Sequence, residues 1–362
     1  MLQTLTHQDY MLLALQLAER GRLTVSPNPM VGCVIVKNNQ IIGQGFHQRV
    51  GEPHAEIIAL HEAGETARDA TLYVTLEPCC HIGRTPPCIA ALLQSKIKKI
   101  YVACLDPNPL VAGKGIDSLR AAGIDVELGL LEDQAKKLNQ TFFHYIIHKR
   151  PFVIAKWAMS LDGKTITHEN DDRHISCHAS LIDSHQLRKQ VDAILIGSKT
   201  ALYDNPLLTV RYTSDNHSVK HPMRIILSSQ GKLPLHLKLF DPALPAKTII
   251  ATTTHADPHW LKIANKRQIE TLILPNNKQG QVDLLNLLKE LGKLEISSLL
   301  IEGGMTTQEQ FIRENLVNEL HVYLAPVIIG TLEKKKKLTN VAIKMHDNDF
   351  HITSNYLENL YV

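Results

Sequence analysis

The chain has 362 residues, 44% of them hydrophobic and 21% charged, with a net charge of only +3. That length exceeds one ordinary core and predicts two domains of a soluble globular enzyme. The weak charge gives no reason to expect nucleic-acid binding, which needs a strongly basic face, and no apolar run approaches the roughly 20 residues that span a bilayer. Cys33, Cys79, Cys80, Cys88, Cys104 and Cys177 are too sparse for a disulfide framework and fit a reducing cytoplasm. The apolar run from Met11 to Leu15 has no basic segment before it, and Gln16, Glu19 and Arg20 follow. It reads as an amphipathic helix and not as a secretion signal.

In chain order, the pattern predicts a helix over 8–20 capped by Gly21, a strand over 31–36, a turn at 37–40 and a strand over 41–46. A helix from His54 to Ala63 follows, then a strand over 71–76 that delivers Cys79. A helix over 88–96 carries Cys88, and a strand over 99–104 delivers Asp106. Helices alternating with apolar strands predict a three-layer α/β/α sandwich. One helix is expected over 130–147, broken by His148-Lys149-Arg150-Pro151, where the domain boundary is placed.

Short apolar runs then dominate, at 152–158, 193–197, 224–228, 248–251, 271–274, 298–303 and 319–325, with helical segments near 179–190, 281–291 and 307–315. That alternation predicts a mostly parallel sheet covered by helices. Lys334 to Lys337 read as a solvated loop, and Phe350 to Val362 as a closing strand or hairpin.

The chemistry concentrates in His54-Ala55-Glu56 and the stretch Leu76-Glu77-Pro78-Cys79-Cys80-His81-Ile82-Gly83-Arg84-Thr85-Pro86-Pro87-Cys88. Catalytic zinc takes three protein donors and leaves a fourth position for water, whose pKa it lowers to about 7. His54, Cys79 and Cys88 supply such a set, with Cys80 and His81 as rival donors. Glu56 is then the proton carrier, as in the His-x-Glu and Pro-Cys arrangement of zinc nucleobase deaminases. The general pattern places its second cysteine three positions after the first. Ile82 stands there, and the next candidate is Cys88, at the start of a helix whose N-terminus favours a thiolate.

With these residues, the chain resembles the bifunctional deaminase/reductase family of riboflavin biosynthesis. The resemblance is carried by Pro27-Asn28-Pro29-Met30-Val31-Gly32, Gly45-Phe46-His47, Gly51 to Glu56, the Glu77 to Cys88 loop, Asp106-Pro107-Asn108-Pro109 and Val111 to Gly115. The nine-residue cysteine spacing is the family's own. It implies that Asn28, His47, His81, Arg84, Asp106 and Asn108 hold a pyrimidine ring and its ribose 5′-phosphate.

Farther on, Lys156 to Gly163, Arg188, Gly197 to Thr200 and Asp204 to Arg211 resemble the reductase half of that family. The implied fold is a cytidine-deaminase-like domain over 1–147 followed by a dihydrofolate-reductase-like domain over 151–362. By motif, Lys156, Asp172, Arg188, Leu208, Arg211 and Glu302 fall on substrate positions. Ala158, His174, Thr200, Asp204 and Gly304 fall on NADPH positions. The resemblance further implies Zn²⁺ and NADPH as cofactors, small pyrimidine ribose-phosphates as substrates, and a homo-oligomer, dimer or tetramer.

Four places depart from the family. Asp172 replaces a serine, His174 replaces a tryptophan, Ser228 stands where an aspartate usually ends a strand, and Met305-Thr306-Thr307 replaces a more typical stretch after the paired glycines. The alternative they raise is a chain active only as a deaminase, with its second half impaired or merely binding ligand.

Overall fold

The computed structural model describes residues 5–81, 86–165, 174–212, 219–330, 336–337, 339–346 and 349–355. The chain forms two units, Met1–Pro151 with Lys289–Ser297, and Phe152–Leu288 with Ser298–Val362.

In the first unit, α1 (His7–Glu19) begins at Thr6, whose hydroxyl accepts from the Asp9 N–H while the Asp9 carboxylate accepts from the Thr6 N–H. This reciprocal cap satisfies donors that a helix start leaves open. The glycine cap expected at its other end is not there, because the helix ends at Arg20 in a right-handed conformation. Gly21 serves close approach instead: a Cβ on it would stand 2.7 Å from the His47 carbonyl oxygen.

Strands β1 (Gly32–Lys37) and β2 (Gln40–Phe46) form a hairpin whose two turn residues, Asn38 and Asn39, both have positive φ. That is the conformation matching a tight turn to strand twist. Next come α2 (Ala55–Ala63), β3 (Thr71–Val74), α3 (Cys88–Ser95), β4 (Lys99–Val102), α4 (Lys114–Ala121), β5 (Asp125–Leu128), α5 (Glu132–Leu138) and α6 (Gln140–His148). The sheet order is β2-β1-β3-β4-β5; β1 runs antiparallel to β2 and β3, and β3, β4 and β5 run parallel.

Alternation in β1 shows how the sheet is filled from both sides. Cys33 and Ile35 pack with Ala55, Ala59, Leu92 and Leu119 of α2, α3 and α4. Val34 and Val36 pack with Met11, Ala14, Ala135 and Phe142 of α1, α5 and α6. Successive side chains point to opposite faces, so each strand feeds two cores.

The single helix expected over 130–147 is two helices that meet at Asn139. The Asn139 carboxamide donates to the Met30 carbonyl and accepts from the Met30 N–H, each at 2.8 Å. It thereby pins the loop that carries Asn28. The short α4 and β5 were not anticipated.

The second unit contains β6 (Phe152–Ser160), α7 (His178–Gln190), β7 (Ala193–Gly197), α8 (Ser198–Asp204), β8 (Met223–Leu227), β9 (Thr248–Thr253), α9 (Pro258–Lys266), β10 (Glu270–Leu274), the first half of α10 (Leu284–Lys293), whose residues from Lys289 belong to the first unit, then β11 (Ser298–Ile301), α11 (Met305–Arg313) and β12 (Glu319–Ala325). Its seven-stranded sheet has the order β10-β9-β8-β7-β11-β6-β12, with every neighbouring pair parallel. Ala193 to Ile196 and Ser298 to Ile301 are buried without a break, as strands covered on both faces require.

Two short pairs complete the described chain, β13 (Val327–Ile328) with β14 (Lys336–Lys337), and β15 (Thr339–His346) with β16 (Asp349–Asn355). Lys336 and Lys337 are therefore strand residues and not loop, while Lys334, Lys335 and everything after Asn355 lie outside the described residues. Among the described residues, no helix is long and apolar enough to cross a membrane.

Replacing Asn139 with Ala removes both bonds to the buried end of the Met30 loop. The expected cost is about 2 kcal/mol of stability. Urea unfolding of the full chain, followed by a probe in the first unit, checks this, and an unchanged midpoint refutes it.

Candidate active sites

His54 is the N-cap of α2 and Glu56 lies in that helix's first turn, while Cys79 follows β3 and Cys88 is the first residue of α3. The His54 Nδ1 stands 3.2 Å from the Cys88 Sγ and 3.5 Å from the Cys79 Sγ. Their ligand atoms all lie within 4.8 Å of one another, the only such group among the described residues. Cys80 points elsewhere, its Sγ 3.6 Å from the Leu110 carbonyl.

The electrostatics suit a cation. A hydrogen bond from Cys88, aided by His54, pushes the Cys79 thiol down to about 4. Cys88 is shifted up, because its proton serves that bond. The Cys79 contact also raises the His54 pKa. Glu56 is buried, and burial raises its pKa. Its Oε2 has no hydrogen-bond partner. An imidazole, two sulfurs and an orphaned carboxylate oxygen fit zinc with a water beside it.

Around this group, His47 is buried, with its ring edge-on to that of His54 at 5.2 Å. Its Nδ1–H donates to the Pro53 carbonyl at 3.3 Å, so its Nε2 accepts from the Asn28 amide at 3.2 Å. Burial lowers the His47 pKa, which keeps the ring neutral. Asp106 is pushed up to about 6 by burial, and its Oδ1 accepts from the Asn108 N–H at 2.8 Å. The Asn108 side chain in turn caps the Leu110 N–H. His81 keeps a buried Nδ1 without a partner. Arg84 lies outside the described residues.

Sequence reasoning missed Glu77. Its carboxylate accepts from four backbone N–H groups: Asp106 at 3.2 Å, Gly113 and Gly115 at 2.9 Å, and Ile116 at 3.3 Å. It ties the Cys79 loop to the Asp106 loop and to the start of α4. The available signal was an acid directly before Pro78-Cys79 at the end of an apolar strand. Gly115 permits the approach, since a Cβ there would stand 2.4 Å from the Pro78 carbonyl oxygen.

In the second unit, Arg188 grips Glu302 with two bonds of 2.7 Å, and the two side chains are 12% and 8% exposed. Arg188 is thus a buried, paired cation and not an ordinary solvated surface charge. Burial alone would raise the Glu302 pKa, yet the Arg188 charge holds it below its ordinary value. Burial also lowers the pKa of Lys156, whose Nζ lies 5.2 Å from the Tyr323 ring centre. Gln308, another residue missed in the sequence, donates to the Lys156 and Ile301 carbonyls at 3.0 Å. Arg211 is exposed, with its backbone N–H on the His185 Nδ1. Leu208 places its side chain in the core, so only its backbone, at φ 52°, can face a ligand. Asp172 lies outside the described residues.

The neighbouring strands β7 and β11 end at Gly197 and ahead of Gly303-Gly304. Helices α8 and α11 start there from glycine N-caps with no side-chain cap. The Thr200 hydroxyl accepts from the Gly304 N–H at 2.9 Å, joining the two starts. Adjacent uncapped helix starts suit a pyrophosphate such as that of NADPH. Ala158 is half-buried on β6, while Asp204 and His174 are exposed and Ser228 is buried after β8.

Residues 151–353 match the RibD C-terminal domain, and residues 4–104 match the cytidine and deoxycytidylate deaminase zinc-binding region. The riboflavin biosynthesis protein RibD of Aquifex aeolicus is 40% identical over 98% of this chain and 95% of its own length. That of Escherichia coli is 41% identical over 89% and 88%. Acinetobacter baumannii RibD superposes with a TM-score of 0.80 at 38% identity, covering 96% of this chain and 98% of that one. A diaminohydroxyphosphoribosylaminopyrimidine deaminase/5-amino-6-(5-phosphoribosylamino)uracil reductase of Thermotoga maritima gives 0.77 at 32% identity, covering 97% and 98%.

Converting Glu302 to Leu strands the Arg188 guanidinium in the interior. The expected loss is roughly 3–5 kcal/mol of stability in the second unit. Thermal and urea unfolding measure it, and a loss below about 1 kcal/mol, as for an exposed pair, refutes the buried-pair reading.

Proposed function

The chain belongs to the RibD family of riboflavin biosynthesis proteins, and on that premise we propose that it deaminates a diaminohydroxyphosphoribosylaminopyrimidine and then reduces the resulting aminouracil. Residues 1–147 carry the deaminase and residues 151–362 the reductase. The observation that carries the reading is the meeting of His54, Cys79 and Cys88 beside the unpartnered Oε2 of Glu56.

His54, Cys79 and Cys88 would hold a zinc ion, which when bound would lower the pKa of a water to about 7. Glu56 accepts the proton of the attacking water and passes it to the departing amino group. A C–O bond forms at the ring carbon, its C–N bond breaks, and ammonia leaves. Burial supports this role, since by raising the pKa of Glu56 it makes the carboxylate a better proton acceptor. Asn28, His47, His81, Asp106 and Asn108 orient the ring, and Arg84 serves the phosphate.

In the reductase, bound NADPH would supply the hydride for reduction at C1′ of the ribose, whose ring opens to a ribityl chain. Ala158, Thr200, Asp204, His174 and the Gly304 segment form its place. The opened sugar oxygen must gain a proton for each hydride delivered. Lys156, whose burial eases loss of its proton, is the donor in this cluster. Arg188, Arg211, Glu302 and the Leu208 backbone line the substrate side, and Asp172, outside the described residues, falls on a substrate position by motif. The intact Lys156, Arg188 and Glu302 cluster favours two activities over deamination alone.

The chain works in the cytoplasm, a reading supported by the absence of disulfides among its six cysteines. It forms a homo-oligomer. Leu320, Val322 and Leu324 alternate outward from β12, the last strand of its sheet, with 55%, 41% and 39% exposure. Such an apolar edge is a liability unless covered.

For Glu56→Gln, ammonia release from the diaminopyrimidine falls by roughly 100- to 10,000-fold. Zinc content and NADPH oxidation with the deaminated substrate stay unchanged. An undiminished rate of ammonia release removes Glu56 from its role. For oligomerisation, light scattering on the wild type reports a mass above one chain, and the double change Leu320→Glu and Leu324→Glu reduces it to one. A monomeric wild type at micromolar concentration ends that reading.

A further inference from the structure

The segment from Leu208 to Tyr212 belongs to no helix or strand, and both its ends have positive φ, 52° at Leu208 and 58° at Tyr212. Left-handed conformations cost a side-chain-bearing residue energy, so the surroundings must hold them. Three side chains do so through the backbone. The Arg188 Nη1 donates to the Thr209 carbonyl at 3.1 Å, the Val210 N–H donates to the His221 Nδ1 at 3.2 Å, and the Arg211 N–H donates to the His185 Nδ1 at 2.8 Å. The Arg211 guanidinium, by contrast, has no hydrogen-bond partner among the described residues and is exposed.

We propose that His185 is a positioning residue of the reductase: as a neutral acceptor it fixes the Arg211 backbone, and so aims the guanidinium at the substrate phosphate. The proposal rests on the reading of Arg211 as a phosphate residue. His185 is fully buried on α7, one turn before Arg188. Nδ1 accepts the shorter bond, 2.8 Å from the Arg211 N–H, so the ring's one proton sits on Nε2, and the 3.4 Å approach of the Arg188 Nη1 to Nε2 is then a contact between two donors and not a hydrogen bond. The charged groups facing the ring are Arg188, Arg211 and Lys156, opposed by Glu302. Burial, followed by the two arginines, pushes its pKa down to about 4, and the ring stays an acceptor at neutral pH. The Tyr212 ring packs edge-on against it at 5.0 Å, closing the segment over the histidine.

The test compares two substitutions of similar polarity. His185→Asn keeps an acceptor where Nδ1 stood, whereas His185→Gln carries its amide to the level of Nε2. With the aminouracil ribose phosphate as substrate, His185→Gln is expected to raise KM roughly tenfold or more, the scale of a donor left unpaired. Its kcat, NADPH affinity and ammonia release stay within about threefold. His185→Asn restores KM to near the wild-type value, although its side chain fills less of the space. A ring needed only for volume predicts the reverse order.

Arg211→Ala separates the two readings. It is expected to raise KM at least as much, and adding His185→Gln to it changes KM little further, since the histidine acts through that arginine. An unchanged KM in Arg211→Ala overturns the reading of Arg211 and the proposal with it. An unchanged KM in His185→Gln, an Asn variant no better than Gln, or additive losses in the double variant overturns the positioning role alone.

Discussion

Each unit is built around a carboxylate held just beyond the end of a central strand. An ionised carboxylate in the interior costs several kcal/mol unless it is matched by charge or by donors. The two units meet that constraint differently. Glu77 takes four backbone N–H groups, two of them in the first turn of α4. Glu302 takes a whole guanidinium from Arg188. In both cases the compensating groups come from distant segments, so satisfying the charge also brings the active residues into place.

In the first unit, the consequence is that the candidate metal donors meet at one end of the sheet. β3 runs parallel to β4, and the loops that leave their ends carry Cys79 and Asp106. Glu77 joins these two loops, while the starts of α2 and α3 bring His54, Glu56 and Cys88 to meet them. Ligand sites at the carboxyl ends of parallel strands are a general property of such sheets. Burial does the remaining work by raising the pKa of Glu56 and keeping His47 neutral.

In the second unit, the same geometry produces a charged cluster and two uncapped helix starts. Lys156 comes from β6, Glu302 from the end of β11 and Arg188 from α7. The glycine N-caps of α8 and α11 leave backbone donors open at the ends of β7 and β11. The ion pair of this cluster is intact.

Much of this was legible in the residue order. The two-residue alternation of β1, the unbroken apolar strands of the second unit, and the spacing of His54, Glu56, Cys79 and Cys88 are local patterns that backbone periodicity makes readable. Local pattern did not decide between Cys88 and Cys80 as the partner of Cys79; the fold did, by seating Cys88 at the start of α3 with its backbone N–H on the Cys79 sulfur. Nor did it show that Asn139 divides a helix, that Glu77 gathers two loops, or that His185 carries Arg211. Those roles depend on hydrogen bonds between residues far apart in sequence, up to 109 positions for Asn139 and Met30. Periodicity reports which face a residue occupies, whereas only the packed structure decides which distant donor meets which buried acceptor.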